Sequence, residues 1–238
     1  MGVIITTVGS REEYKIALNA LQQEGFNVLP GQLSQSFLRT EVVLNRNRSS
    51  FTFPIQVNQL NQGTTPGPNT QLLKTQDVFY LTHLSFTINA YTVPGDTPEL
   101  YRYVPYTYPS EALNATGVVF SKTGYKLWAG TLEFTVNGQV VIAAWDVNRH
   151  LYVPETQKQA VNGAFPVSTF YNDHDEFDGA ATSFYPVEPN LVLIGNKSTV
   201  INLDYPEDLQ NAIGESPVEV RAVLTMRGML AQNASKTA

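Results

Sequence analysis

An Asn-Gly pair set between two apolar runs constrains this chain more than any other feature. Leu132-Glu133-Phe134-Thr135-Val136 precedes Asn137-Gly138, and Gln139-Val140-Val141-Ile142-Ala143-Ala144-Trp145 follows it. A two-residue type I′ turn needs positive φ at both central positions, which Asn and Gly adopt at least cost, so the segment reads as a β-hairpin. Leu191-Val192-Leu193-Ile194 and Thr199-Val200-Ile201-Asn202-Leu203 form a second such pair about a Gly195-Asn196-Lys197 turn. Further strand patterns lie at 37–44, 51–57, 78–93 and 218–226. Pro54 within the second of these suggests an edge position. In the third, Leu84, Phe86, Ile88 and Ala90 share one face and Ser85, Thr87 and Asn89 the other, the alternation of a half-buried strand. Long loops join about eight strands, no helices are interleaved, and no period of 20–50 residues repeats. The pattern predicts an all-β antiparallel β-sandwich, with a single jelly roll as the best fit.

The first thirty residues follow a different rule. Ser10 with Glu13 three positions on is a capping box, and Gly25 is a fitting stop. Between them Tyr14, Ala17, Leu18 and Leu21 recur at helical spacing, which predicts an amphipathic helix over 11–24. The chain thus divides into an N-terminal arm, 1–32, and a sandwich body, 33–238. The helix either packs on its own body or docks on a neighbour. In the second case Tyr14, Leu18 and Leu21 make the contact.

Composition narrows the chemistry. Only 15% of residues are charged, whereas Asn, Gln, Ser and Thr together make 68 of the 238, so the surface is neutral rather than ionic. The absence of cysteine removes disulfide scaffolds, cysteine zinc sites and thiol nucleophiles together. No apolar run approaches the roughly 18 residues of a transmembrane helix, and no secretory signal pattern is visible. Met1-Gly2-Val3-Ile4-Ile5-Thr6 matches the loose myristoylation pattern, which is short and has meaning only in a eukaryotic context. Residues 151–215 hold ten acids against Lys158 and Lys197, a net −8 within a chain of −6, leaving +2 elsewhere. Arg39, Arg46 and Arg48 are too few to neutralise a row of phosphates, so direct nucleic-acid binding is not expected as the main role.

No G-x-S-x-G elbow, H-E-x-x-H pair or G-x-G-x-x-G fingerprint occurs, and no enzyme is expected. Gly195-Asn196-Lys197-Ser198 reads as a hairpin turn rather than a phosphate loop, and Lys122-Thr123-Gly124 lacks any S-x-x-K partner. Histidine occurs at 83, 150 and 174 only, and His83 within a strand pattern reads as structural. Asp146 and His150, four apart, would form an oriented base if their turn were helical, yet no nucleophile accompanies them. The run Asn172-Asp173-His174-Asp175-Glu176-Phe177-Asp178-Gly179 offers Asp173, Asp175 and Asp178 as oxygen ligands for calcium. It departs from the EF-hand pattern at Phe177 and Gly179, and a solvated acidic loop is the other reading. No other cofactor is expected. Tyr101, Tyr103, Tyr106 and Tyr108 suit a segment packed on its own sandwich, a subunit contact or a sugar-stacking platform. Asn47, Asn114, Asn196 and Asn233 begin N-x-S/T triplets, which mean little in so Asn-, Ser- and Thr-rich a chain.

The C-terminal third carries a resemblance. The run Glu188-Pro189-Asn190-Leu191-Val192-Leu193-Ile194-Gly195, the segment 199–206, and the stretch from Val220 through Met226-Arg227-Gly228-Met229-Leu230 to Asn233 resemble capsid-associated bacteriophage proteins. The likeness is one of texture rather than of a signature motif and fixes no functional residue. It implies a virion structural protein: a penton, major capsid or auxiliary capsid subunit that associates with copies of itself and other capsid proteins as a homo-oligomer. The alternative is a receptor- or carbohydrate-binding spike or lectin-like module built on the same sandwich.

Overall fold

A computed structural model describes residues 8–29, 31–60, 70–91, 106–109, 124–152, 183–213 and 219–236. The calcium candidates Asp173, Asp175 and Asp178 lie outside them, as do Tyr101 and Tyr103. Helix α1 spans Val8–Gln23 and is followed by the short strand β1, Phe26–Asn27. Helical residues thus begin before Ser10, which stands inside the first turn. Gly25, at φ 84°, ends the helix as expected, its N–H donating to the Gln22 carbonyl.

Eight strands then build two four-stranded antiparallel sheets: β2 (Leu33–Val43), β3 (Ser50–Phe53), β4 (Val78–Tyr91), β5 (Thr131–Val136), β6 (Gln139–Asp146), β7 (Tyr185–Ile194), β8 (Thr199–Asp204) and β9 (Glu219–Ala231). One sheet has the order β2-β9-β4-β7 and the other β3-β8-β5-β6. A last strand, β10 (Ser235–Lys236), pairs with β1. The chain is an all-β sandwich with one N-terminal helix. Its pairings are nested: β5 with β6, β4 with β7, β3 with β8 and β2 with β9, all antiparallel. The innermost pair turns at Asn137 (φ 53°) and Gly138 (φ 76°), the type I′ geometry that the Asn-Gly pair predicts.

The core forms where the two sheets face each other. Leu38, Phe86, Ile88, Leu193 and Leu224 from the first meet Phe53, Leu132, Phe134, Ile201 and Leu203 from the second. Each such side chain contributes roughly 1.5–3 kcal/mol through burial. A smaller cluster covers one end of the first sheet's other face, where Ala17 and Leu21 of α1 pack with Phe26, Val78, Tyr80 and Met229.

Three local departures from the sequence pattern have clear causes. The strand expected over 51–57 stops at Phe53, and a single 3-10 turn at Val57–Gln59 follows. Gln59 Oε1 accepts from the N–H groups of Ile55 and Gln56, replacing ladder bonds that Pro54 interrupts. Strand β4 is not half-buried: Ser85, Thr87 and Asn89 are as enclosed as the apolar residues between them. At Thr82, β4 gains an extra residue relative to β9, and its hydroxyl donates to the Arg227 carbonyl; against β7 the extra residues lie on β7, between Pro186 and Leu191.

Candidate functional site

Strand β6 is the outer strand of its sheet, and among the described residues only β5 pairs with it. It carries two extra residues against β5. Trp145 and Ile142 are three apart where Leu132 and Phe134 are two apart, and Ile142 to Val140 spans one step of β5. Each bulge rotates the strand, so Val140, Val141, Ala143 and Ala144 turn outward while Ile142, opposite Phe134, packs against the core. Val140 (53% exposed), Val141 (39%), Ala143 and Ala144 all face solvent, and Ile142 is half-buried. No charged side chain interrupts the chain from Asn137 to Trp145. The result is an uncharged, apolar, solvent-facing strip on a sheet edge that no further strand covers among the described residues. Sheet edges of soluble proteins ordinarily carry charge, proline or a cover.

The far end of the strip is locked in place. Asp146 Oδ1 accepts from Asn148 N–H and caps the 3-10 turn Val147–His150. That turn sends His150 inward, where it is fully buried. Trp145 Nε1 donates to His150 Nε2 (2.9 Å), and His150 Nδ1 sits 2.8 Å from the Ser183 carbonyl oxygen. An indole N–H only donates and a carbonyl only accepts, so the ring is neutral with its proton on Nδ1. Burial is the main cause that lowers its pKa to about 4, with Arg149 lowering it further; the Ser183 bond and Asp146 act the other way. The Tyr185 ring meets the imidazole edge-on at 5.1 Å, and the Arg149 guanidinium lies 4.2 Å over Trp145. Ser183 Oγ also bonds Ser85 Oγ, so the lock joins the end of β6 to β4 of the opposite sheet. Asp146 and His150 do not form a base and its orienting carboxylate: both ring nitrogens are committed to Trp145 and Ser183, and Asp146 caps the turn.

The described arm and tyrosine residues singled out by sequence pack on their own chain, one of the readings their pattern allows. Leu21 is fully buried by its own chain, and Leu18 and Tyr14 are half-buried beside it. Ile16, on the other side of the helix, is 52% exposed. Tyr106 and Tyr108 are buried, and Tyr106 exchanges both backbone hydrogen bonds with Ile88 of β4 (2.8 and 2.9 Å). Neither ring presents a surface to a neighbour or a sugar. His83 is half-buried in β4, with Nδ1 bonded to Thr82 Oγ1.

Clefts occur elsewhere. One of about 470 Å³ lies between Gln76, Asp77, Val78, Asn196 and Lys197, and one of about 360 Å³ between α1 and β7, lined by Glu13, Ile16, His83 and Glu188. Among the described residues no group of three His, Cys, Asp or Glu side chains is placed to hold a metal ion, and no helix is long and apolar enough to cross a membrane. The exposure of β6 escaped sequence reasoning because an apolar run ordinarily marks a buried strand. No protein-family model and no curated protein matches the sequence.

Proposed function

We propose that this chain is a structural subunit of a virion, acting by association between copies and with other capsid proteins rather than by turnover. The nested strand pairing carries the reading. Eight strands paired from the Asn137-Gly138 turn outward, and split into the orders β2-β9-β4-β7 and β3-β8-β5-β6, are what a long hairpin forms when it is rolled across two sheets. That order supports a single jelly roll, an architecture found in capsid subunits and also in lectin domains.

Fold alone does not choose between those uses. The uncharged strip of β6 favours association, because apolar surface without charge is desolvated against a neighbour at little electrostatic cost. A sugar platform has less support, since Tyr106 and Tyr108 face inward. Size-exclusion chromatography with light scattering on the full chain tests the reading. A defined oligomer or shell is the expected result. A monomer at every concentration, together with binding on a glycan array in the presence of calcium, would replace it with the carbohydrate-binding module.

A further inference from the structure

We propose that β6 is a self-docking strip: two copies of this chain meet along it, antiparallel, about a two-fold axis through Ile142. This rests on the assembly reading and specifies one contact within it. A two-fold contact puts the same patch on both sides, so the patch must complement itself. The sequence Val140-Val141-Ile142-Ala143-Ala144 does so when reversed against its own copy. Val140 then faces Ala144 and Val141 faces Ala143, so larger side chains oppose smaller ones on each side of the axis, where Ile142 packs back on its own core.

Charge selects the same occupant. Each copy carries −6, so two copies repel except where charge is absent, and Asn137–Trp145 is such a stretch. In the reversed alignment Asp146 falls opposite Gly138, so no like charges of β6 itself face each other. A partner recognised by opposite charge would gain nothing here. The two bulges break the even spacing of outward N–H and C=O groups, so side-chain packing holds the contact rather than a continuous ladder across both copies.

The cysteine-free sequence gives a clean test. Val141→Cys and Ala143→Cys proteins, each purified from the full chain and mixed in equal amounts, are oxidised at micromolar concentration. The mixed disulfide dimer is expected to exceed either homodimer and to exceed a Gln210→Cys control in an exposed loop. Val141→Lys, at a solvent-facing position, is expected to weaken self-association at least about tenfold, of the size set by losing a well-packed interface residue. Its circular dichroism and melting temperature are expected to match the parent. Should the parent self-associate while the cysteine pair cross-links no better than the control and Val141→Lys changes nothing, the contact is wrong and the assembly reading stands. Should the parent remain monomeric at every concentration, both fall.

Discussion

Acid should weaken this fold through His150 by an amount that can be worked from its surroundings. The folded pKa of about 4 stands against 6.5 for the free side chain. At 1.36 kcal/mol per pH unit, that difference is worth about 3 kcal/mol. The sign follows from which state takes up the proton. Below pH 6.5 the unfolded chain protonates this histidine while the folded chain resists, because a proton on Nε2 would face the Trp145 N–H. Stability from the neutral imidazole is therefore complete above pH 6.5 and lost as pH falls through 4, with about 2 kcal/mol already gone at pH 5. Urea unfolding followed by tryptophan fluorescence, at one fixed protein concentration from pH 7.5 to 5, measures the loss. His150→Gln removes the titration while the carboxylates common to both proteins cancel. The parent's advantage over this variant should shrink by about 2 kcal/mol across that range. Parallel stability curves would refute the buried neutral histidine.

Other perturbations probe the remaining joints. Gly228→Ala would place a Cβ 1.9 Å from the Tyr80 carbonyl oxygen, so β4 and β9 must separate; a loss of about 3 kcal/mol or more is expected in chemical denaturation. Leu21→Ala should cost about 2–5 kcal/mol of local stability, seen as faster amide exchange in α1 and β1 while β5 and β8 keep their protection. Gln56 is buried, and its Nε2 donates to the carbonyls of Ile194 (3.0 Å), Gly195 (3.1 Å) and Lys197, so Gln56→Ala should lower stability by about 1–3 kcal/mol. Retention of full stability would show that the β7–β8 turn holds without it.

What could be read from sequence is what local chemistry decides. The Asn137-Gly138 turn, the Gly25 stop and most strand patterns needed only backbone preference and alternation. Position within a sheet is different, because it depends on pairings formed far along the chain. The apolar run of β6 reads as buried, yet its sheet order leaves it outermost and its bulges turn it outward. Tyr106 and Tyr108, in a segment of prolines and aromatics, suit packing on their own sandwich, a subunit contact or a sugar platform alike, and the pairing of Tyr106 with Ile88 selects the first. Ser85, Thr87 and Asn89 alternate like a solvated face and are enclosed. The lock at His150 was half visible, since Trp145 stands five residues away, but Ser183 lies 33 further on. Gly228 gives no local sign that the Tyr80 carbonyl occupies the space where a Cβ would stand.

Electron microscopy of the purified full-length chain at concentrations where it self-associates tests the virion-subunit reading most directly. Closed rings or shells, with sandwich-sized subunits in regular symmetric contact, are the expected result. Isolated subunits at every concentration, or association only into irregular clumps, would contradict it.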